Sequence, residues 1–229
     1  MAFHSRNSIV TDGLVFSVDA YNTKSYIGSG TSSNDLTINS NNGTLVNGVV
    51  FDNNAFTFDG VNDYIDFDNI LSDVMTGSNP VFSVDCWYKS STTSKVILGK
   101  FNLTPTAFDF LLWQRLTTST IRVSTNGGTA LATTPDGSVI ADEWINVTAV
   151  IDNSGGTSDV SIYLNGLLSV NTTGLASNIN NNNYPLVFGK TSGGVGSLNR
   201  SISNVKIYNK VLTPTEVLQN YEAIKWRFQ

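Results

Sequence analysis

FTFDGVNDYIDF, residues 56–67, sets aspartates and asparagines among aromatic and large aliphatic side chains. Alternation places Phe56 and Phe58 on one buried face, and Ile65 and Phe67 return to it after a reversal at Asp59-Gly60. Asp-Gly favours turns in which glycine takes positive φ, and Asn62 and Asp63 can hydrogen-bond backbone amides in the same reversal. The acids then belong to the turn joining a strand pair, with Asp66 facing outward. A catalytic reading would need two carboxylates roughly 5–9 Å apart with separated pKa values. Asp66 and Asp68 lie two residues apart on one face, but in similar solvated settings with nothing to raise either one. Turn chemistry is therefore the expectation, and acid/base chemistry is not.

The same period of two runs through most of the chain. GLVFSVD (13–19) alternates Leu14, Phe16 and Val18 against Val15, Ser17 and Asp19. VFSVDCWYK (81–89) sets Phe82, Val84, Cys86 and Tyr88 against Ser83, Asp85, Trp87 and Lys89. WINVTAVID (144–152) sets Ile145, Val147, Ala149 and Ile151 against Trp144, Asn146, Thr148 and Val150. In DVSIYLNGLLSV (159–170), Asn165-Gly166 between apolar runs is a strong two-residue hairpin signal. AFTFD, YIDF, SKVILGKF, AFDFLLWQ, LVFGK and RSISNVKIYN add further strands. No long helical pattern alternates with them, which excludes a parallel α/β fold and predicts an all-β chain.

One helix is predicted, near the C-terminus in LTPTEVLQNYEAIKWRF. Thr213 caps it, Pro214 suits its first position, and Glu216 completes a capping box. Val217, Tyr221 and Ile224 form its apolar stripe. So short a helix needs a surface to lie on. The expected organisation is an N-terminal arm (1–11), one sandwich domain (12–212), and a helix and tail (213–229) packed on the sandwich or on a partner. Two polar loops, 21–43 and the Asn-rich 175–185, lack a hydrophobic period.

Composition narrows the function. Of 229 residues only 14% are charged, and the net charge is −5. Nucleic acid as a partner is excluded, because clustered Lys and Arg are needed to displace its counterions. Cys86 and His4 are the only residues of their types, which leaves no internal disulfide, no Cys/His zinc site and no Cys-His or Ser-His-Asp system. The N-terminus lacks an apolar stretch of signal-peptide length, and nothing approaches a membrane span, so a soluble cytosolic product without membrane insertion is expected. Sequons at Asn42, Asn102, Asn146, Asn171 and Asn199 are read as chance in an Asn- and Thr-rich chain.

In order, GLVFSVDAYNTKSYIGSG, DLTINSNNGTLVNGVVFD, FTFDGVNDYIDF, FSVDCWYKS, EWINVTAVIDNSGGTSDVSIYLNGLL, PLVFGKTSGG and SISNVKIYNKVLTPTEVLQNYEAIKWRF closely resemble the LamG domains of the concanavalin A-like superfamily. The chain also resembles the versions carried by virion proteins of tailed bacteriophages. The resemblance runs from about Asp12 to Phe228 and implies a jelly-roll sandwich of two antiparallel sheets with the one C-terminal helix. Some members bind carbohydrate, some bind calcium and some only build particles, and the fold does not choose among them. The Glu-x-Asp strand of the glucanase branch is missing here; Glu143, Glu216 and Glu222 are the only glutamates. The resemblance also makes calcium the one candidate cofactor, with Asp19, Asp35 and Asn42 of NSNNG as ligands. Ser203 and Asn204 stand where many relatives carry Asp-Glu, which removes charge that a hard cation needs.

Sugar recognition on a sandwich calls for an exposed ring beside amide or carboxylate groups. Trp113, with Gln114 and Arg115 adjacent, is the candidate. Trp87 and Trp144 fall on the non-core faces of their strands. In the tail, Trp226 and Phe228 are candidate assembly contacts, with packing on the chain's own sandwich as the alternative. The function expected from these features is a non-enzymatic virion structural protein, a capsid decoration or tail/fibre component on the particle surface. Its partners would be other virion proteins or copies of itself, and host-surface carbohydrate. A stand-alone lectin, calcium-dependent or not, is the alternative, and a glycoside hydrolase ranks last.

Overall fold

The computed structural model describes residues 7–75, 79–91, 95–102, 107–115, 120–125, 129–176, 182–190 and 197–229. In chain order the strands are β1 (Leu14–Asp19), β2 (Ser32–Ser33), β3 (Gly43–Val46), β4 (Val50–Asp52), β5 (Ala55–Asp59), β6 (Tyr64–Asp66), β7 (Val81–Ser90) and β8 (Lys95–Asn102). They continue with β9 (Ala107–Arg115), β10 (Thr120–Thr125), β11 (Thr129–Thr133), β12 (Trp144–Asp152), β13 (Thr157–Leu164), β14 (Leu167–Ala176), β15 (Leu186–Phe188) and β16 (Asn199–Tyr208). A helix, α1 (Pro214–Ile224), and a 3-10 turn, Lys225–Arg227, close the chain. Part of the Asn-rich loop 175–185 lies outside the described residues.

The strands form two antiparallel sheets packed as a sandwich. The back sheet runs β14-β13-β12-β7-β16-β5-β4, with β1 beside the far half of β16. The front sheet runs β11-β10-β9-β8-β15-β6-β3-β2. Between them lies one continuous core whose back-sheet rows follow the expected alternation: Phe82, Val84, Cys86 and Tyr88 meet Ile145, Val147, Ala149 and Ile151. The Asn165-Gly166 hairpin joins β13 to β14, with both residues at positive φ (51° and 80°) as a two-residue turn of this kind requires.

Three features differ from the sequence reading. First, β5 and β6 are not paired. They belong to opposite sheets, so Asp59-Gly60 is a corner that carries the chain across the sandwich. The turn chemistry survives: Asp59 Oδ1 accepts from the amides of Val61 (2.7 Å) and Asn62 (3.3 Å), and Asp63 Oδ2 accepts from the Asp59 amide (3.1 Å). Gly60 is required there, with φ 81° and space for a Cβ only 2.7 Å from Asn199 Cβ. Second, a bulge in β1 between Leu14 and Phe16 swings Leu14 onto the opposite face, away from Phe16 and Val18. Third, β10 and β11 extend the front sheet where Thr, Ser and Gly had masked the alternation.

The outer face of the back sheet is also buried along β7, β12 and β16. Its rows run straight across the strands: Ser17–Lys206–Asp85–Thr148, and Asp19–Asn204–Trp87–Asn146. Asp85 is fully buried. Its Oδ1 accepts from Lys206 Nζ at 2.8 Å, and its Oδ2 accepts from Thr148 Oγ1 (2.8 Å) and Asn146 Nδ2 (3.0 Å). Asn204 Oδ1 takes a second Lys206 hydrogen. Helix α1 covers these rows, with Val217 on Val150, Tyr163 and Tyr208, and Ala223 and Ile224 beside Trp87. Its Thr213/Glu216 capping box forms as expected, and the nearby Lys210 ammonium holds Glu216 below the usual carboxylate range. Asn220 ties the arm to the sheet: its Oδ1 accepts from the Val10 amide and its Nδ2 donates to Tyr208 Oη. Burial, aided by the Asp85 charge, pushes the Cys86 thiol far up, so this cysteine is inert core.

Asp85→Ala leaves the Lys206 ammonium buried without its counter-charge. It is expected to cost about 3–5 kcal/mol, read as a lower urea midpoint at unchanged slope. Replacing both residues with apolar side chains should cost less than either single change.

Candidate functional site

The front sheet's outer face carries an apolar strip flanked by charge. Cross-strand register puts Val96 beside Trp113, Gly99 beside Leu111, and Val187 beside both Gly99 and Asp66, all on this face. Val96, Phe101 and Val187 form its buried floor, and Tyr64, Phe108, Leu111 and Trp113 are half-buried around them. Gly99 is needed in this row, because a Cβ would come within 2.5 Å of both Leu111 Cδ2 and the Phe110 carbonyl. Polar groups border the rings. Trp113 Nε1 donates to Ser124 Oγ (3.1 Å), the Arg122 guanidinium lies 5.3 Å from the Trp113 ring centre, and Lys190 Nζ lies 4.1 Å from that of Tyr64. Burial, with the Arg115 charge as a smaller cause, lowers the Arg122 pKa.

The triplet Trp113, Gln114 and Arg115 is split by alternation. Trp113 and the exposed Arg115 share the outer face, whereas Gln114 points into the sandwich, where its Oε1 accepts from Tyr88 Oη at 3.1 Å. Gln114 is thus a core partner and not a surface one. On the same outer face, burial raises Asp66, with the Asp68 charge adding to the effect and Lys190 opposing it. The settings of Asp66 and Asp68 are therefore less alike than the sequence implied.

The expected calcium ligands do not fit a cation. Asp35 Oδ1 accepts from the amides of Ser17 and Thr37, and Oδ2 accepts from Thr37 Oγ1 and the Asn41 amide. Asn42 Oδ1 accepts from the Asp35 amide. Asp19 receives Arg227 Nη1 on both oxygens, at 2.9 and 2.8 Å. Hydrogens occupy the positions a cation would need, and a guanidinium already supplies the positive charge. Among the described residues, no three or more His, Cys, Asp or Glu side chains gather as a metal site.

The tail packs on the chain's own back sheet. Phe228 stacks on Trp87 with ring centres 4.2 Å apart, Tyr221 stacks on Trp87 at 5.6 Å, and Trp144 lies 4.8 Å from Phe228. Trp226 points the other way and remains 38% exposed, edge to face with Tyr21 at 6.0 Å between ring centres. Between the tail and the sheet is a recess of about 200 Å³ lined by Tyr21, Asn53, Asn54, Trp144, Ser203 and the tail residues Trp226, Arg227 and Phe228. Sequence reasoning missed Tyr21, Asn53, Asn54 and Arg227. The Asn53-Asn54 pair between two short strands was the available hairpin signal.

The concanavalin A-like lectin/glucanases superfamily model Laminin_G_3 matches residues 58–218. The chain belongs to this family. Among curated protein sequences none matches it. Solved structures share the Laminin_G_3 chain's fold over almost its full length. Trypanosoma rangeli sialidase in complex with the inhibitor DANA aligns with TM-score 0.69 and 13% identity over 99% of this chain and 36% of the sialidase. Domain 4 of AbnA, a GH43 extracellular arabinanase from Geobacillus stearothermophilus, in complex with arabinotriose, aligns at 0.66 and 16% over 95% of this chain and 100% of that one. The botulinum neurotoxin type G receptor binding domain aligns at 0.58 and 15%, over 92% and 51%. The chain spans about a third of the length of the sialidases it matches.

Because Asp19 and Asp35 are saturated by N–H and O–H donors, adding calcium to chelator-treated protein should leave the melting temperature unchanged and release no binding heat. Arg227→Ala, which frees Asp19, should lower that temperature by loosening the tail.

Proposed function

We propose that this Laminin_G_3 chain is a non-catalytic recognition protein on the surface of a phage particle, a capsid decoration or a tail or fibre component. It attaches to carbohydrate through the outer face of the front sheet. The observation that carries this reading is the pair of half-buried rings, Trp113 and Tyr64, on an apolar floor, with Arg122 over the first ring, Lys190 over the second, and Arg115 and Ser124 beside Trp113. Sugar rings present C–H faces that stack on aromatic faces, and their hydroxyls need directional partners of this kind. The arabinotriose complex of the similarly folded AbnA domain supports carbohydrate as the ligand class. The setting rests on the sequence-order resemblance to phage virion domains: made in the host cytoplasm, the protein would join other virion proteins or copies of itself. Repetition on a particle would multiply weak contacts through avidity. A stand-alone lectin is the second reading, supported by the similarity in fold to AbnA domain 4, which is described in complex with arabinotriose.

The full chain on a glycan array should retain at least one glycan family, and Trp113→Ala should weaken retention at least tenfold, equivalent to about 1.4 kcal/mol. Mass spectrometry of purified particles should find the chain; its absence there would leave the lectin reading. No retained glycan would sink carbohydrate recognition. Cleavage of a retained oligosaccharide that Asp66→Asn abolishes would replace the whole reading with a hydrolase.

A further inference from the structure

We propose that the recess beneath the C-terminal tail is a second binding site, on the opposite sheet from Trp113, and that it takes a single neutral sugar ring.

The recess is built from elements that other interactions already fix. Asp52 pairs with Ala55 across β4 and β5, so Asn53 and Asn54 form a two-residue turn, with φ 50° and 61°. Asparagine tolerates this left-handed region, and such turns match the twist of the flanking strands. Ser203 Oγ donates to the Asn54 carbonyl (3.3 Å), which pins the turn to β16. The Asn53 amide Nδ2 donates to Asp52 Oδ2 (2.9 Å), and among the described residues its Oδ1 accepts no hydrogen bond. Among the described residues the exposed Asn54 side chain makes no hydrogen bond, so this amide presents both a donor and acceptors. Facing the turn are Trp226 and Tyr21, 38% and 45% exposed and set edge to face at 85°. Trp144 and Phe228 line the recess beside them.

Charge selects the ligand class. Arg227 lines the recess, but its guanidinium is bound to both Asp19 oxygens and lies 4.6 Å from the Tyr21 ring centre. An anion would have to compete with Asp19 for Arg227. A cation seeking the aromatic faces would meet Arg227 already over them, since it also lies 5.6 Å from the Trp226 ring centre. A neutral ligand with hydroxyls suits both the exposed amide and the compensated ion pair, and its C–H groups suit the part of Trp226 that stays exposed beside Arg227. Size limits it further. At about 200 Å³ the recess falls below the roughly 300–1,000 Å³ typical of drug-sized ligands, which points to one ring and not an oligosaccharide chain.

The test uses saturation-transfer NMR on the full chain with methyl glycosides of glucose, galactose, mannose and N-acetylglucosamine. Glucuronic acid and glucosamine serve as charged counterparts. At least one neutral glycoside should receive saturation, with the charged counterparts at least tenfold weaker. Trp226→Ala should abolish the saturation that persists in Trp113→Ala, the variant that silences the front-sheet rings, and the variants below are read in that same background. The double variant Asn53→Gly, Asn54→Gly keeps the turn, because glycine accepts positive φ, yet it removes both amides; it should weaken binding at least tenfold at an unchanged melting temperature. Trp113→Ala should leave this binding intact. Absence of saturation for every neutral glycoside, wild-type binding by the double glycine variant, or loss only in Trp113→Ala would each overturn the second site. The last of these would leave the front-sheet reading standing.

Discussion

The back sheet carries a charge pair on the face turned away from the core, and that face must be kept dry for the fold to hold. Asp85 and Lys206 sit opposite each other on β7 and β16, flanked by Thr148, Asn146 and Asn204, so both ions have near-complete sets of hydrogen-bond partners. Such a pair tolerates burial only while all its partners stay in place. Helix α1 and the arm supply the cover, with Val10, Val217, Tyr208 and Leu212 as an apolar seal on one side and the Trp87–Phe228 stack on the other. The sandwich is therefore effectively three layers deep along β7, β12 and β16.

This third layer explains which parts of the fold were legible in the sequence. The helix was, because Thr213, Pro214 and Glu216 are local signals that need no tertiary context. The core alternation of β7 and β12 was equally plain. What alternation could not reveal is whether the opposite face meets water or protein. Ser83, Asp85, Asn146 and Thr148 are polar, and polar residues on a strand's second face normally mean solvent. Here Asp85 gathers the Thr148 hydroxyl, the Asn146 amide nitrogen and the Lys206 ammonium beneath the helix, and Ser83 Oγ bonds the Lys210 carbonyl and the Leu212 amide, while Asn146 Oδ1 is buried without a partner among the described residues. The β1 bulge was hidden for a related reason: Leu14, Val15 and Phe16 are all apolar, so the sequence carries no mark of the shifted phase.

The functional residues divide along the same line. Trp113 and Arg115 fall on one face because they are two apart, and the same arithmetic sends Gln114 inward to Tyr88. Asp19 looked like a ligand because its partner, Arg227, is 208 positions away and no local pattern announces the pairing. Asp35, by contrast, could be read as a turn cap, since Thr37 and Asn41 lie close in sequence to donate to it. The corner at Asp59-Gly60 combines both cases: its hydrogen bonds are local, with Asp63 accepting as anticipated and Asp59 in the place expected of Asn62, but the choice to cross between sheets and not pair within one depends on β16 and β15, which arrive far later in the chain.

Closing the third layer and shaping the tail recess are one event. The 3-10 turn at Lys225–Arg227 sends Phe228 down onto Trp87, turns Trp226 outward beside Tyr21, and lets Arg227 reach Asp19 at the end of β1. The cover over the back sheet thus ends in an ion pair and an aromatic corner at once. A ligand held between that corner and the Asn53-Asn54 turn would contact the tail only in its docked position, so its binding energy would add directly to the stability of the docked state. Recognition at this edge would consequently reinforce the seal over Asp85 and Lys206, linking the occupied surface to the part of the fold least able to tolerate water.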